Sequence, residues 1–339
     1  HIIFINKIII IYKHYVFTFY FKDTIISKKK YIFVYLAFIT LLFFTMLNYE
    51  NFLHPKMEVI AFILVAILGV FCIVFYFLHD SDKELYKTAF VIILCFGLIC
   101  SFMLPISDVS YENEHTFRAE LTSRGILFPH WTGEDLGLTR TWNQSKNGEF
   151  STEHNDGAGY ESIKSISFFD DRGKTIFATS HDEDKINYSP MLVESAFEQN
   201  PFYGYLPQAA GVGLAKLLDL NVIWMMWLGR ICNLLCYAFL VAYAVKKTPI
   251  LKVPLMIVAC IPTAFYQASS MSIDSMIIAL GLVSIAYFIF MCKSKVKSLG
   301  KKEICIFSII CLLLGYNVAL IIKIITDIND LEYARGNVA

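Results

Sequence analysis

The chain reads as an all-α polytopic membrane protein, with about seven transmembrane helices and a small α+β extracytoplasmic domain between the third and fourth. Three observations predict this. Of its 339 residues, 56% are hydrophobic and 17% are charged, against roughly 45–50% and about 25% in soluble domains. The surplus is gathered into runs near the ~20 apolar residues that a helix needs to cross a bilayer. Between the third and fourth runs, residues 107–220 form a polar, cysteine-free stretch.

Taken in order, residues 1–30 form an N-terminal cytoplasmic or interfacial segment. Its apolar character is interrupted by Lys7, Lys13 and His14. The chain opens on His1, so its start is expected to be incomplete, and no small-residue cleavage site marks a signal peptide. The membrane runs are 31–49, 59–78, 88–106, 221–245, 253–270, 272–292 and 304–323, followed by a tail at 324–339. Three spans thus occupy 31–106 and four occupy 221–323. Pro254 opens the fifth and Pro262 is expected to kink it, because proline removes a helical hydrogen bond. Within the polar stretch, Ser165–Phe169 and Thr175–Ala178 flank an Asp-Asp-Arg-Gly-Lys turn and predict a β-hairpin. Trp131 and Trp142 supply core material. Gln208–Leu218 has helical spacing and is expected to lie on the membrane surface, leading into the fourth span.

Lysines set the orientation. Lys28, Lys29 and Lys30 precede the first span. Lys83 and Lys87, then Lys246, Lys247 and Lys252, then the five lysines between Lys293 and Lys302 fill the alternate loops. All four positions fall on one side if every span crosses once. With that side cytoplasmic, residues 107–220 and the tight turn at 269–272 lie outside, in a multi-pass cell-membrane protein. The basic residues flank apolar runs and form no stripe with interleaved aromatics, which argues against a nucleic-acid partner. All nine cysteines lie in or beside apolar runs, as small hydrophobes do.

The chemistry-bearing groups gather where the third run ends: Asp108, Glu112, Glu114, His115 and Arg118. On a helix, Glu114 and Arg118 are one turn apart and share a face with His115. A carboxylate base beside an imidazole and a guanidinium is one reading; a solvated ion pair at a helix start is the other. Arg230 lies inside the fourth span, where a charge costs roughly 2.5–3.5 kcal/mol and demands a partner. Asp274, at the start of the sixth span, is one candidate. Alternatively, Arg230 and Asn233 face a cavity that binds an anionic head group. His181-Asp182-Glu183-Asp184 resembles a metal cluster, although adjacent side chains point apart. Gly-x-Ser-x-Gly, His-Glu-x-x-His and Walker patterns do not occur.

These residues, in this order, resemble domain-of-unknown-function family 2142, bacterial membrane proteins grouped with GT-C-type glycosyltransferases. The resemblance is carried by Glu112-Asn113-Glu114-His115-Thr116-Phe117-Arg118-Ala119 with Gly125 downstream, and by Tyr205-Leu206-Pro207-Gln208-Ala209-Ala210-Gly211. Leu228-Gly229-Arg230-Ile231-Cys232-Asn233, Ile261-Pro262 and Gln267-Ala268-Ser269-Ser270-Met271-Ser272-Ile273-Asp274 complete it. It departs from the family pattern at Tyr111, where the first carboxylate of an Asp-Glu pair is expected, and Asp108 stands nearby.

The resemblance implies transfer from a polyprenyl-phosphate-linked sugar donor to an envelope glycan or lipid acceptor at the outer leaflet, among membrane lipids. Glu112 is the expected base, with Asp108 and His115 beside it. Arg118 and Arg230 would neutralise the leaving phosphate, while Asn233, Gln267 and Asp274 would hold substrate. No cofactor is called for, and a divalent cation is left open. Two other classes fit the same features: a transporter or flippase for lipid-linked sugars, and a membrane-anchored extracytoplasmic binding module.

Overall fold

The structure is a computed structural model, described for residues 22–23, 25–45, 55–79, 83–129, 143–144, 150–151, 160–163, 185–193, 200–293 and 301–315. It is mostly helical. Helix α1 covers 25–45, α2 Pro55–Leu78, α3 Leu85–Met103 and α4 Glu112–Ser123. Four short strands follow: β1 (Asn143–Gln144), β2 (Phe150–Ser151), β3 (Tyr160–Ile163) and β4 (Pro190–Val193). A 3-10 turn at Phe202–Tyr205 leads into α5 (Leu206–Leu217), then α6 (Val222–Lys247), α7 (Lys252–Ala259), α8 (Pro262–Ala268) and α9 (Asp274–Lys293). The last described helix, α10, covers 301–315.

Among the described residues, four helices are long and apolar enough to cross a membrane: Val59–Leu78, Leu85–Met103, Val222–Lys247 and Asp274–Lys293. They coincide with the second, third, fourth and sixth expected spans. Three lysines at its start set α1 apart from them. The seventh expected span extends past α10 and out of the described residues.

The fifth expected span is not one kinked helix. α7 ends at Ala259, and Ile261 takes an extended conformation (φ −66°, ψ 150°) before Pro262 opens α8. The residue before a proline is pushed out of the helical region and the proline has no N–H to donate, so the helix stops and restarts. The same rule ends α3 early: Leu104, before Pro105, is extended.

α4 begins with Glu112 and Glu114 in its first turn, where carboxylates face the positive end of the helix dipole. It ends in a Schellman motif. The Gly125 amide donates to the Thr122 carbonyl and the Ile126 amide to that of Leu121, each at 3.0 Å, and Gly125 takes the required positive φ of 82°. α6 is capped by Asn221, whose side chain accepts from the Trp224 amide at 2.9 Å.

Between α4 and α5, β1 pairs antiparallel with β2, and β3 with β4 in the register Tyr160↔Val193 to Ile163↔Pro190. The expected hairpin at 165–178, Trp131, Trp142 and the His181–Asp184 run lie outside the described residues. Two apolar cores stand one above the other. One fills the space among α3, α6, α7, α8 and α9 around Ile93, Leu234, Tyr237 and Val283. The other joins α4, α5 and the first half of α6 around Phe117, Val212, Met225 and Met271. The ten buried residues of α4 and the seam between α5 and α6 thus belong with the membrane helices.

Candidate functional site

Arg230 organises the junction between the two cores. It is fully buried, and all five of its N–H donors are used. Nε and Nη2 reach the two Glu112 oxygens at 2.8 and 2.7 Å. Nη1 donates to the carbonyls of Ser101 and Leu104, and Nη2 to that of Pro105, at 3.0–3.1 Å. The three carbonyls are available because α3 ends there and the last helical C=O groups have no partner within the helix.

Glu112 is equally enclosed. Besides Arg230, its oxygens accept from the amides of Ser107 and Met271, both at 3.2 Å. Glu112, rather than Asp274, is therefore the counter-ion of Arg230. One bidentate pair thus ties together the end of α3, the start of α4, the middle of α6 and the loop before α9. In this geometry Glu112 presents no open lone pair to an acceptor hydroxyl, and Arg230 presents no open N–H to a phosphate.

Arg118 is buried too. Its Nε donates to the Asn200 carbonyl at 2.9 Å, and its terminal nitrogens donate to Thr122 Oγ1, the Ile126 carbonyl and the Leu127 carbonyl. It binds the chain as it leaves α4 to the chain as it approaches α5. His115 Nδ1 lies 2.7 Å from the Tyr205 hydroxyl, which accepts from the Asn200 side-chain amide at 3.0 Å. On the other side of the ring, Nε2 is 3.5 Å from Ser272 Oγ. Burial lowers the His115 pKa to about 3, so the imidazole is neutral at ordinary pH. A neutral ring donates through one nitrogen and accepts at the other, with the Tyr205 and Ser272 hydroxyls as its two partners.

Asn233 clamps the loop that joins α8 to α9. Its amide nitrogen reaches the carbonyls of Ser270 (2.8 Å) and Ser272 (3.3 Å), while its oxygen accepts from Ser275 Oγ at 2.9 Å. Gln208, on α5, braces the same loop through the Met271 and Ser272 carbonyls. Gln267 contributes its backbone carbonyl to Asn233, and its side-chain Oε1 is buried with no hydrogen-bond partner. The tight turn expected at 269–272 is therefore a buried, polar plug between helices: Ser269, Ser270 and Met271 are completely enclosed.

Two of the expected carboxylates face outward. Asp274 is exposed at the start of α9, its amide held by Ser272 Oγ at 3.1 Å. Asp108 is exposed on the loop joining α3 to α4. That loop is bracketed by two non-glycine residues in the left-handed region, Ser107 (φ 56°) and Tyr111 (φ 59°), a conformation held only where surrounding contacts impose it. The contacts are visible. Ser107 Oγ donates to Asn113 Oδ1 at 2.5 Å. The Tyr266 hydroxyl, from α8, reaches the Asp108 carbonyl at 2.9 Å and its Oδ2 at 3.0 Å.

The structure thus brings Glu112 and Arg230 into one pair, sets His115 and Asn233 on opposite sides of the 270–272 loop, and leaves Asp108 and Asp274 open. Tyr266, Tyr205, Gln208 and Ser272 complete the arrangement. All four stand inside or beside the sequence blocks already singled out, and adjacency to those blocks was the available signal. Among the described residues no group of three His, Cys, Asp or Glu side chains is placed to hold a metal ion.

Membrane-length helices enclosing a buried ion pair and a polar loop define a multi-helix membrane protein. The match to known families agrees: the predicted membrane protein family DUF2142 covers residues 94–318. The chain belongs to that family, whose segment begins inside α3 and takes in every residue of the candidate site. No curated protein and no solved structure matches it.

Proposed function

We propose that the chain is a membrane glycosyltransferase that takes a sugar from a polyprenyl-phosphate donor at the outer leaflet and places it on an envelope glycopolymer or glycolipid. Asp108 is the base. The supporting observation is that Asp108 alone of the three expected catalytic residues is exposed, on a strained loop fixed by Tyr266 and seated on the Glu112–Arg230 pair. In the reaction the acceptor oxygen bonds to the anomeric carbon and the bond from that carbon to the phosphate oxygen breaks. The phosphate leaves with the electron pair, and the acceptor proton passes to Asp108. Asp274, the other exposed carboxylate, orients a sugar or acceptor hydroxyl. Glu112, Arg230, Arg118 and Asn233 hold the surrounding chain in place and touch no substrate. The topology in this reading is the one expected from the lysines, with seven spans and the 107–220 side outside.

A deletion strain carrying wild type or Asp108→Asn, at equal membrane levels, supplies the test. Wild type restores a missing envelope sugar, and Asp108→Asn lowers transfer by about 10²- to 10⁴-fold, the usual contribution of a positioned base. Equal restoration by both removes Asp108 from catalysis. It would favour the flippase reading, which has its own support in the α7–α8 interruption, since transporters build substrate sites from broken helices.

A further inference from the structure

α5 packs on one face only. Gln208, Ala209, Gly211, Val212 and Ala215 are buried, whereas Leu206, Leu214, Leu217 and Leu218 are 50%, 41%, 81% and 57% exposed. Lys216, on the same helix, turns away from these leucines to reach Glu120 Oε1 at 2.6 Å and Ser123 Oγ at 3.0 Å. The outward stripe is therefore uncharged, and a leucine stripe of this kind is unfavourable against water.

The depth of α5 follows from its partner. A short connection carries the chain from Leu217 to Val222, and Gly211 presses on the α6 backbone, where a Cβ would lie 2.2 Å from the Leu228 oxygen. The two helices thus form an antiparallel hairpin. Lys246 and Lys247 mark the inner end of α6. Leu228 stands about 27 Å above Lys246 along the helix at ~1.5 Å per residue, which is inside a hydrocarbon layer about 30 Å thick. Leu206, five residues before Gly211, lies roughly 7–8 Å deeper still; Leu214, three residues after it, stands about 4–5 Å higher, at the outer edge of that layer, and Leu217 about 9 Å higher, at the head-group level. On α6 itself, Trp224 is 42% exposed, and Phe239 further down is 63% exposed.

We propose that α5 is a re-entrant helix whose first half is sunk into the outer leaflet, with Leu206 and Leu214 packed against the hydrocarbon chains of membrane lipids and Leu217 at the level of the head groups. It does not lie flat on the surface, and it brings the polar 270–272 loop and the Glu112–Arg230 pair below the water interface. The proposal rests on α6 crossing the membrane and is independent of glycosyl transfer. Its backbone is compatible with that depth because the helix satisfies its own N–H and C=O groups and α6 covers one side.

The test places the photoreactive residue p-benzoylphenylalanine at Leu206 or Leu214 of the full chain and irradiates native membranes. The same residue at Phe239 is the lipid-facing reference, and at Asp219 the water-facing one. Lipid adducts at Leu206 and Leu214 are expected at yields comparable with Phe239 and several-fold above Asp219. Yields no higher than at Asp219 would overturn the proposal. So would adducts to a second copy or another protein at both positions while Phe239 still labels lipid. Elution of each variant at the wild-type position in detergent establishes that it is folded, and Ala210, exposed one turn from Leu206, substitutes for a position that fails this check.

Discussion

Arg230 and Glu112 show what a buried charge requires. Each would be costly alone in the membrane, and each is made tolerable by the other plus backbone groups left over at helix ends. Removing one partner strands the other. Glu112→Gln leaves a buried guanidinium short of its counter-ion and is expected to destabilise by about 3–5 kcal/mol, read as a large fall in detergent melting temperature and membrane level. The neutral pair Glu112→Gln with Arg230→Met is expected to recover much of that loss, because no unpaired charge remains. A Glu112→Gln protein that is as stable as wild type would show that the pair contributes no stability. The same comparison separates Glu112 from Asp108: Asp108→Asn is expected to keep its stability and lose transfer.

Close packing of the elements depends on small residues at particular crossings. Gly211 meets the Leu228 carbonyl and the Gly229 amide, backbone atoms that cannot rotate away, whereas a Cβ at Gly213 would meet nothing within 4 Å. Gly211→Ala must push α5 off α6 and is expected to cost at least the ~1–3 kcal/mol of an overpacked core. Gly213→Ala should instead gain about 0.5–1 kcal/mol from helix propensity. Thermal unfolding of the two variants side by side checks this, and equal effects would mean the α5–α6 crossing is looser than described. Gly211 was legible in the sequence only as part of a motif. Its neighbours, seventeen and eighteen positions away on another helix, were not, because periodicity reports a residue's face and not what that face meets. Pro262 is the converse case: its effect is local, so a disturbance was readable, and only its extent was underestimated.

At the scale of the whole molecule, orientation is the property to measure. Lys185 is 67% exposed on its side chain and ion-paired with Asp219 at the outer end of α5, while Lys83 is exposed between α2 and α3. A membrane-impermeant amine reagent applied to intact cells is expected to label Lys185 and spare Lys83, with both labelled after permeabilisation. The reverse pattern would invert the protein and put the candidate site on the cytoplasmic side, where a lipid-phosphate donor would no longer be required. Apolar runs are local quantities, so the sequence by itself determined that this is a membrane protein and roughly where its helices run. It also marked Arg230 as a charge in need of a partner. The choice of partner fell to the tertiary structure, which brings Glu112 to it across 118 residues, sinks the 270–272 loop between helices and leaves Asp108 at the surface. The reason is that burial and pairing depend on what packs against a residue, and that neighbour is set by the fold.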